Sequence, residues 1–339
     1  MNMRISVVGA GSWGTVLASV LAEKNADVSL WCREPELVEA IDRDHENPLF
    51  LPGIPIHPKV KATGDLDAAV TNRDMIVMAT PAQHMRAILS SASYRFLHGS
   101  QLVIASKGIE NGTLKLMHQV AEEIIPESMH RNIFVLSGPT FARELGMKMP
   151  TAAVIAGRYI EGLNAAQEFF SLPYFRVYRS PDVVGVEVGG AIKNVIAIGV
   201  GIVEGMRLGH NSQSALMTRA IAEITRLAVK IGANPFTISG LSGLGDLILT
   251  CTGELSRNRQ VGIRIGHGEK LPDILAGMTM VAEGVATSIS AYQLAQRMEV
   301  AMPIVETVYR VLHEGLDVRT AMSALMGRSL KEEIYGYGD

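Results

Sequence analysis

Two lysines stand where their chemistry can matter. Lys193 lies in Glu187-Val188-Gly189-Gly190-Ala191-Ile192-Lys193-Asn194, inside a run of Val, Ile, Ala and Gly from Val183 to Val203. Burial disfavours an ammonium ion and lowers its pKa, which makes a lysine usable as an acid or base near neutral pH. An ion pair between Lys193 and Glu187 is poorly spaced, because six residues do not bring two side chains onto one helix face. The preceding glycines allow a cofactor or another backbone to come close. Lys107, in Ser106-Lys107-Gly108, follows the apolar run Leu102–Ala105; alone it reads as a surface lysine, and its place beside the glycine turn makes a functional role an equal alternative. Asp246 sits in Gly243-Leu244-Gly245-Asp246-Leu247-Ile248-Leu249-Thr250-Cys251-Thr252, where a carboxylate needs a charged or hydrogen-bonding partner. Beyond it, Ser256-Arg257-Asn258-Arg259 offers a hydroxyl, a forked guanidinium and an amide at a helix start, a suitable phosphate receptor. With the two lysines, that receptor favours a small phosphorylated substrate.

A second constellation opens the chain. The strand-like Ile5–Val8 runs into Gly9-Ala10-Gly11-Ser12-Trp13-Gly14, and a helical pattern follows from Thr15 to Lys24, which leaves Ser12 and Trp13 in the loop. Gly9 permits the tight turn, Gly11 lets backbone approach a pyrophosphate, and Gly14 permits close helix packing, so the helix N-terminus faces the phosphates. Cofactor choice is read near the end of the second strand, and there two criteria diverge. Counting about twenty residues on from the loop reaches Glu34, which favours NAD(H). The strand pattern ends at Cys32 and puts Arg33 at the turn, where it can pair with a 2′-phosphate. Strand position carries more weight, so NADP(H) is favoured and NAD(H) remains possible; a solvated Arg33 is the open alternative.

These residues need a scaffold that gathers them. To about Ser180, apolar β-type runs alternate with helical patterns, with strands expected at Ile5–Val8, Val28–Cys32, Met75–Ala79, Leu102–Ala105, Ile133–Leu136, Ala152–Ala156 and Phe175–Tyr178. This is the pattern of an α/β doubly wound sheet of Rossmann type. Pro35 and Pro81 follow strands at places suited to a first helical position. Four prolines between Pro48 and Pro58 suggest a surface excursion. After Pro181 the strand signals nearly vanish, and long apolar periodic stretches at about 182–205, 213–231, 282–298 and 303–314 predict an all-helical substrate domain. The expected division is 1–180 and 181–339. Ligands bind beyond the carboxyl ends of such strands, where Lys107 and Ser137-Gly138-Pro139-Thr140, followed by Phe141 and Ala142, converge on one crevice.

Composition sets the limits. A chain of 339 residues with 47% hydrophobic and 19% charged residues has material for two cores. Its net charge of −3 gives no general attraction to nucleic acid or anionic membranes. The apolar run 183–203 imitates a membrane span, but Glu187 and Lys193 inside it argue for a buried helix of a soluble domain. Two cysteines, Cys32 and Cys251, make no disulfide framework, and Met1 leads directly into Arg4–Val8 without the pattern of a signal peptide. A reducing, cytoplasmic setting is the expectation. The nine histidines show no metal-site spacing, and no metal is expected.

Taken together, Gly-x-Gly-Ser-Trp-Gly-Thr, Ser-Lys-Gly, Ser-Gly-Pro-Thr-Phe-Ala, Gly-Gly-Ala-x-Lys-Asn, and Gly-x-Gly-Asp-Leu…Thr-Cys…Ser-Arg-Asn-Arg closely resemble the bacterial NAD(P)-dependent glycerol-3-phosphate dehydrogenases. The match runs from Gly9 to Val-Ala-Glu-Gly-Val at 281–285. The resemblance implies reversible hydride transfer between dihydroxyacetone phosphate and glycerol 3-phosphate, supply of the latter for phospholipid synthesis, and a homodimer. It implies Lys193 as the acid/base, with Lys107, Asn194, Asp246 and Thr250 around the reacting centre. Gly138, Thr140, Ser256, Arg257 and Asn258 fall at substrate positions. Ser12, Trp13, Arg33, Lys107, Ala142, Arg257, Val281 and Glu283 fall at cofactor positions. Two other readings stay open: a dehydrogenase of another small acid, against which the Arg257–Asn258 receptor argues, and a non-catalytic dinucleotide sensor, which has no need of Lys193 beside Asp246.

Overall fold

The computed structural model describes residues 3–24, 27–96, 99–330 and 332–333; residues 1–2, 25–26, 97–98, 331 and 334–339 of the two expected units lie outside these. Its strands are β1 (Arg4–Val8), β2 (Asp27–Trp31), β3 (Glu46–Asn47), β4 (Leu51–Pro55), β5 (Val60–Thr63), β6 (Met75–Met78), β7 (Gln101–Ile104), β8 (Ile133–Ser137), β9 (Thr151–Gly157) and β10 (Phe175–Ser180). All the strands read from the sequence are present, with ends shifted by a residue or two. Eight strands form one sheet in the order β10-β9-β8-β7-β6-β1-β2-β5. Neighbours are parallel except β8 and β9. The inner strands are apolar on both faces, as a sheet covered by helices on both sides requires; β6, for example, is buried at every residue. Strand order reverses between β1 and its neighbours β2 and β6, which makes the end of β1 the topological switch point where such sheets bind ligands.

Three expectations need correction. The first helix spans Ser12–Glu23, so Ser12 and Trp13 belong to its first turn rather than to the loop; Gly11, in extended conformation, is the residue before it. Pro81 precedes the helix Ala82–Ala92 instead of starting it, while Pro35 does start Pro35–Asp44. The proline-rich segment is more than a surface excursion. It folds as the antiparallel pair β3–β4, and Leu51, Ile54 and Ile56 are buried in the sheet's core. Its prolines keep it out of the main sheet, yet its apolar side chains still leave water.

After β10 the described residues form no further strand. The central element is the helix Val183–Gly205, almost all of whose residues are buried. Around it lie Gly209–Lys230, Asp246–Thr252, Arg257–Gly266, Glu283–Arg297 and Pro303–His313. The membrane-like run is therefore the core helix of a helical unit, sealed from any exterior phase. One contact matters for the site: a side chain at Gly262 would stand 2.0 Å from the Ile198 carbonyl. Without one, Arg257–Gly266 lies directly on the central helix and brings Ser256, Arg257 and Asn258 beside the turn bearing Lys193.

Candidate active site

The glycine loop follows β1 at the switch point. Gly9 has φ of +113°, and a side chain there would meet the Ala79 carbonyl at 2.9 Å; at Gly14 it would meet the Gly9 carbonyl at 1.9 Å. Gly11 is different, since a Cβ there meets nothing within 4 Å. Bare backbone thus faces open space at a helix N-terminus, the requirement for a pyrophosphate cradle. The loop is locked by a residue the sequence reading missed: Asn47 Nδ2 donates to the Ala10 carbonyl and to Thr15 Oγ1, each at 2.8 Å. The β3–β4 pair therefore serves the site by holding this turn.

Arg33 and Glu34 follow β2. The Arg33 side chain is 76% exposed and its Nη2 donates to Glu34 Oε1 at 2.7 Å, so the two candidate readers of the adenosine ribose sit side by side. On the far side of the crevice, Glu283 begins its helix, and burial pushes its carboxyl up to about 7 against the opposing effects of Arg257 and the Ala82 N–H. Glu283 Oε2 and Trp13 Nε1 are buried without a hydrogen-bond partner, as expected of groups that meet a ligand. Ala142 opens a short helix after β8, and Val281 is half exposed just before Glu283.

The candidate reacting centre is a chain of three charges. Lys107, beyond β7, donates to Asp246 Oδ2 at 2.8 Å and to the Gly138 carbonyl at 3.1 Å. Lys193 donates to Asp246 Oδ1 at 2.5 Å and to Thr250 Oγ1 at 2.7 Å. Asp246 thus bridges both lysines, which answers its need for partners inside an apolar helix. Its side chain is 1% exposed, against 8% for Lys193 and 17% for Lys107. Burial lowers the Lys193 ammonium to about 8, with Asp246 resisting and Lys107 adding to the fall. A side chain at Gly189 would meet the Ser242 carbonyl at 2.7 Å, so the glycines before Lys193 admit the π-helical turn Leu241–Gly245 that delivers Asp246.

The proposed phosphate receptor is partly engaged within the protein. Ser256 Oγ accepts from the Arg259 N–H at 3.2 Å and caps its helix. Asn258 donates to Asn194 Oδ1 and accepts from the Gly284 N–H, both at 2.9 Å, which ties three helices together. Arg257 Nη1 donates to the Val281 carbonyl at 2.9 Å, and its guanidinium feels Glu283. Arg257 therefore stands on the seam between the groups assigned to cofactor and those assigned to substrate. Thr140 Oγ1 donates to the Gly138 carbonyl at 3.2 Å, beside the oxygen that also receives Lys107.

A glycine-lined helix N-terminus at the switch point, facing a lysine pair that shares one buried carboxylate, defines a dehydrogenase that uses a nicotinamide dinucleotide. The chain belongs to the NAD-dependent glycerol-3-phosphate dehydrogenase family: the family model for the N-terminus matches residues 4–161 and that for the C-terminus matches 182–323. It is similar to the glycerol-3-phosphate dehydrogenase (NAD(P)+) of Geobacter sulfurreducens, 52% identical over 98% of this chain and 99% of that protein. The enzyme of the same name from Myxococcus xanthus is 51% identical over 98% of this chain and 100% of that protein. Among solved structures, the glycerol-3-phosphate dehydrogenase of Coxiella burnetii superposes with a TM-score of 0.91 at 34% identity, covering 96% of this chain and 99% of that one.

Proposed function

We propose that this oxidoreductase reduces dihydroxyacetone phosphate to glycerol 3-phosphate with NADPH or NADH, and runs the reverse reaction with the oxidised cofactor. The observation that carries the reading is the Lys107–Asp246–Lys193 chain, set where two β-strand ends meet the central helix. The glycine loop and the unpartnered Trp13 and Glu283 atoms fit the dinucleotide. When bound, the cofactor supplies or receives the hydride at C2 of the substrate.

The protein's own task is a proton. An ammonium group has three N–H bonds, and Lys193 commits two of them to Asp246 and Thr250. The third is left for the C2 oxygen. In reduction Lys193 donates its proton to that oxygen as negative charge develops; in oxidation the neutral amine takes it back. Lys107 adds positive potential, while Asp246 keeps both lysines aimed and balanced. Arg257, Ser256 and Asn258, with the N-terminus of their helix, hold the phosphate and thereby fix the reacting carbon. Gly138 and Thr140 line the opposite wall, and Asn194 positions Asn258.

Incubating the purified protein with dihydroxyacetone phosphate tests the substrate assignment. One glycerol 3-phosphate should form per NADPH or NADH consumed; preference for an unphosphorylated 2-oxo acid would refute it. The cofactor preference has its own test. Arg33→Ala should weaken NADPH more than NADH, by about 1–3 kcal/mol for a lost charged hydrogen bond. Equal losses, read by fluorescence titration, would shift the choice to Glu34.

We further propose that the cofactor and substrate units meet near residue 180, between β10 and the central helix. The free, buried Cys32 and Cys251 suit a reducing cytoplasm. The product would feed phospholipid synthesis there. Homodimer formation is the expected assembly, and light scattering reporting only monomer at micromolar concentration would reject it.

A further inference from the structure

A second buried couple lies one helical turn from the Lys107 side chain. Glu187, on the helix that carries Lys193, accepts the His118 backbone N–H at Oε1 at 2.9 Å, and its Oε2 meets the His118 imidazole Nδ1. His118 belongs to the short helix Met117–Glu122, against β8 and the Ala82–Ala92 helix, so the couple joins the sheet's helical layer to the catalytic helix. The two side chains are only 4% and 3% exposed. Burying such a pair is a poor way to staple a fold, since apolar residues of similar shape often do as well or better.

Its location gives it another use. Glu187 lines a small cavity together with Ser106, Lys107, Gly108, Ser137 and Gly190. Ser137 Oγ is buried there without a hydrogen-bond partner. Gly190, one turn on from Glu187, is where a Cβ would stand 2.6 Å from Ser137 Oγ and 3.7 Å from Lys107 Cδ. Glu187 and Lys107 therefore border the same small, largely buried cavity, across which charges act over several ångströms without touching. With both lysines protonated, Lys107, Asp246 and Lys193 sum to a single positive charge. Glu187 cancels it, and a proton on His118 restores it.

We propose that His118 and Glu187 are positioning residues of the catalytic centre, a couple that sets the charge facing Lys107 and, through Lys107 and Asp246, holds the proton on Lys193 as the pH rises. When His118 gives up its proton, the uncompensated charge of Glu187 favours the ammonium form of Lys193. The groups facing His118 are Glu187 from the central helix, Glu122 from its own helix and Arg158 after β9. Burial pulls the imidazole down, but the hydrogen bond and charge of Glu187, with Glu122, raise it overall against Arg158.

The inference rests on Lys193 as the proton donor, so its test has an arm that needs no activity. In Glu187→Gln, the alkaline fall of kcat/KM for ketone reduction should move to lower pH by about half a unit or more, because a carboxylate that stabilised the ammonium is gone. NADPH affinity should be unchanged. Glu223→Gln is the control, a buried acid on another helix that accepts the Ile304 and Val305 N–H groups and does not act on Lys193, and it should leave the limb in place. Independently, the NMR titration of the His118 imidazole should move up by about half a unit in Lys107→Met, since the positive charge across the cavity from its partner Glu187 has been removed. An unmoved limb in folded Glu187→Gln, or an unmoved His118 titration, would overturn the proposal. Should Glu187→Gln fail to fold, the imidazole titration decides. A wild-type protein inactive on dihydroxyacetone phosphate would instead defeat the proposed function, leaving the imidazole titration to judge the coupling alone.

Discussion

Replacing Lys193 with alanine is expected to leave a folded protein that binds NADPH and turns over at least about 10²-fold more slowly, the usual scale for a lost general acid. The fold should persist because Asp246 keeps Lys107 at 2.8 Å, so its buried carboxylate is not stranded. Cofactor binding should persist because Lys193 contacts Asp246 and Thr250 on a neighbouring helix, while the glycine loop follows β1. The loss should appear in kcat with little change in KM, since the proton is needed only as the C2 oxygen becomes charged. Stopped-flow NADPH oxidation measures this directly. Turnover within a few-fold of wild type would remove Lys193 from the reaction.

The second large effect concerns Arg257. Arg257→Ala should cost about 3 kcal/mol in kcat/KM for dihydroxyacetone phosphate, on the order of 10²-fold, because binding energy at the phosphate also positions the reacting carbon. The cost for unphosphorylated dihydroxyacetone should be far smaller. Arg257 also donates to the Val281 carbonyl and stands near Glu283, so the variant must be compared at saturating NADPH, with cofactor affinity measured separately. Equal proportional losses for both substrates, with cofactor affinity intact, would mean that Arg257 does not read the phosphate and would reopen the choice of substrate.

The features legible in the sequence were those whose residue type conflicts with its surroundings. A charged Lys193 and Asp246 in apolar runs announce buried partners, and glycines between a strand and a helix announce a close backbone approach. The apolar runs of β6, β7 and β8 marked a covered sheet in the same way. Residues that act through distant partners gave no such sign. Asn47 is an ordinary polar residue before a proline, and only the fold brings it to Ala10, 37 positions away. His118 meets Glu187 across 69 positions. Glu187 was visible as a charge inside an apolar run, but its spacing from Lys193 could only say which partner it lacked. The prolines of residues 48–58 correctly excluded the main sheet and hid the burial of Leu51, Ile54 and Ile56, because backbone restriction and side-chain burial are separate properties. The short edge strand β5 was missed for want of a long apolar run.

The central claim is that Lys193 carries the proton exchanged with the substrate oxygen, and the pH dependence of kcat/KM in both directions tests it most directly. Lys193 is lowered to about 8 by burial, so its acid form is present below that pH and its base form above. Reduction of dihydroxyacetone phosphate should therefore fall about tenfold per unit once the pH passes the lysine's value, while oxidation of glycerol 3-phosphate rises toward it and then levels. The two limbs should share one apparent pKa in wild type. Profiles that stay flat from about pH 7 to 10 in both directions, with cofactor saturation verified, would contradict Lys193 as the acid and base.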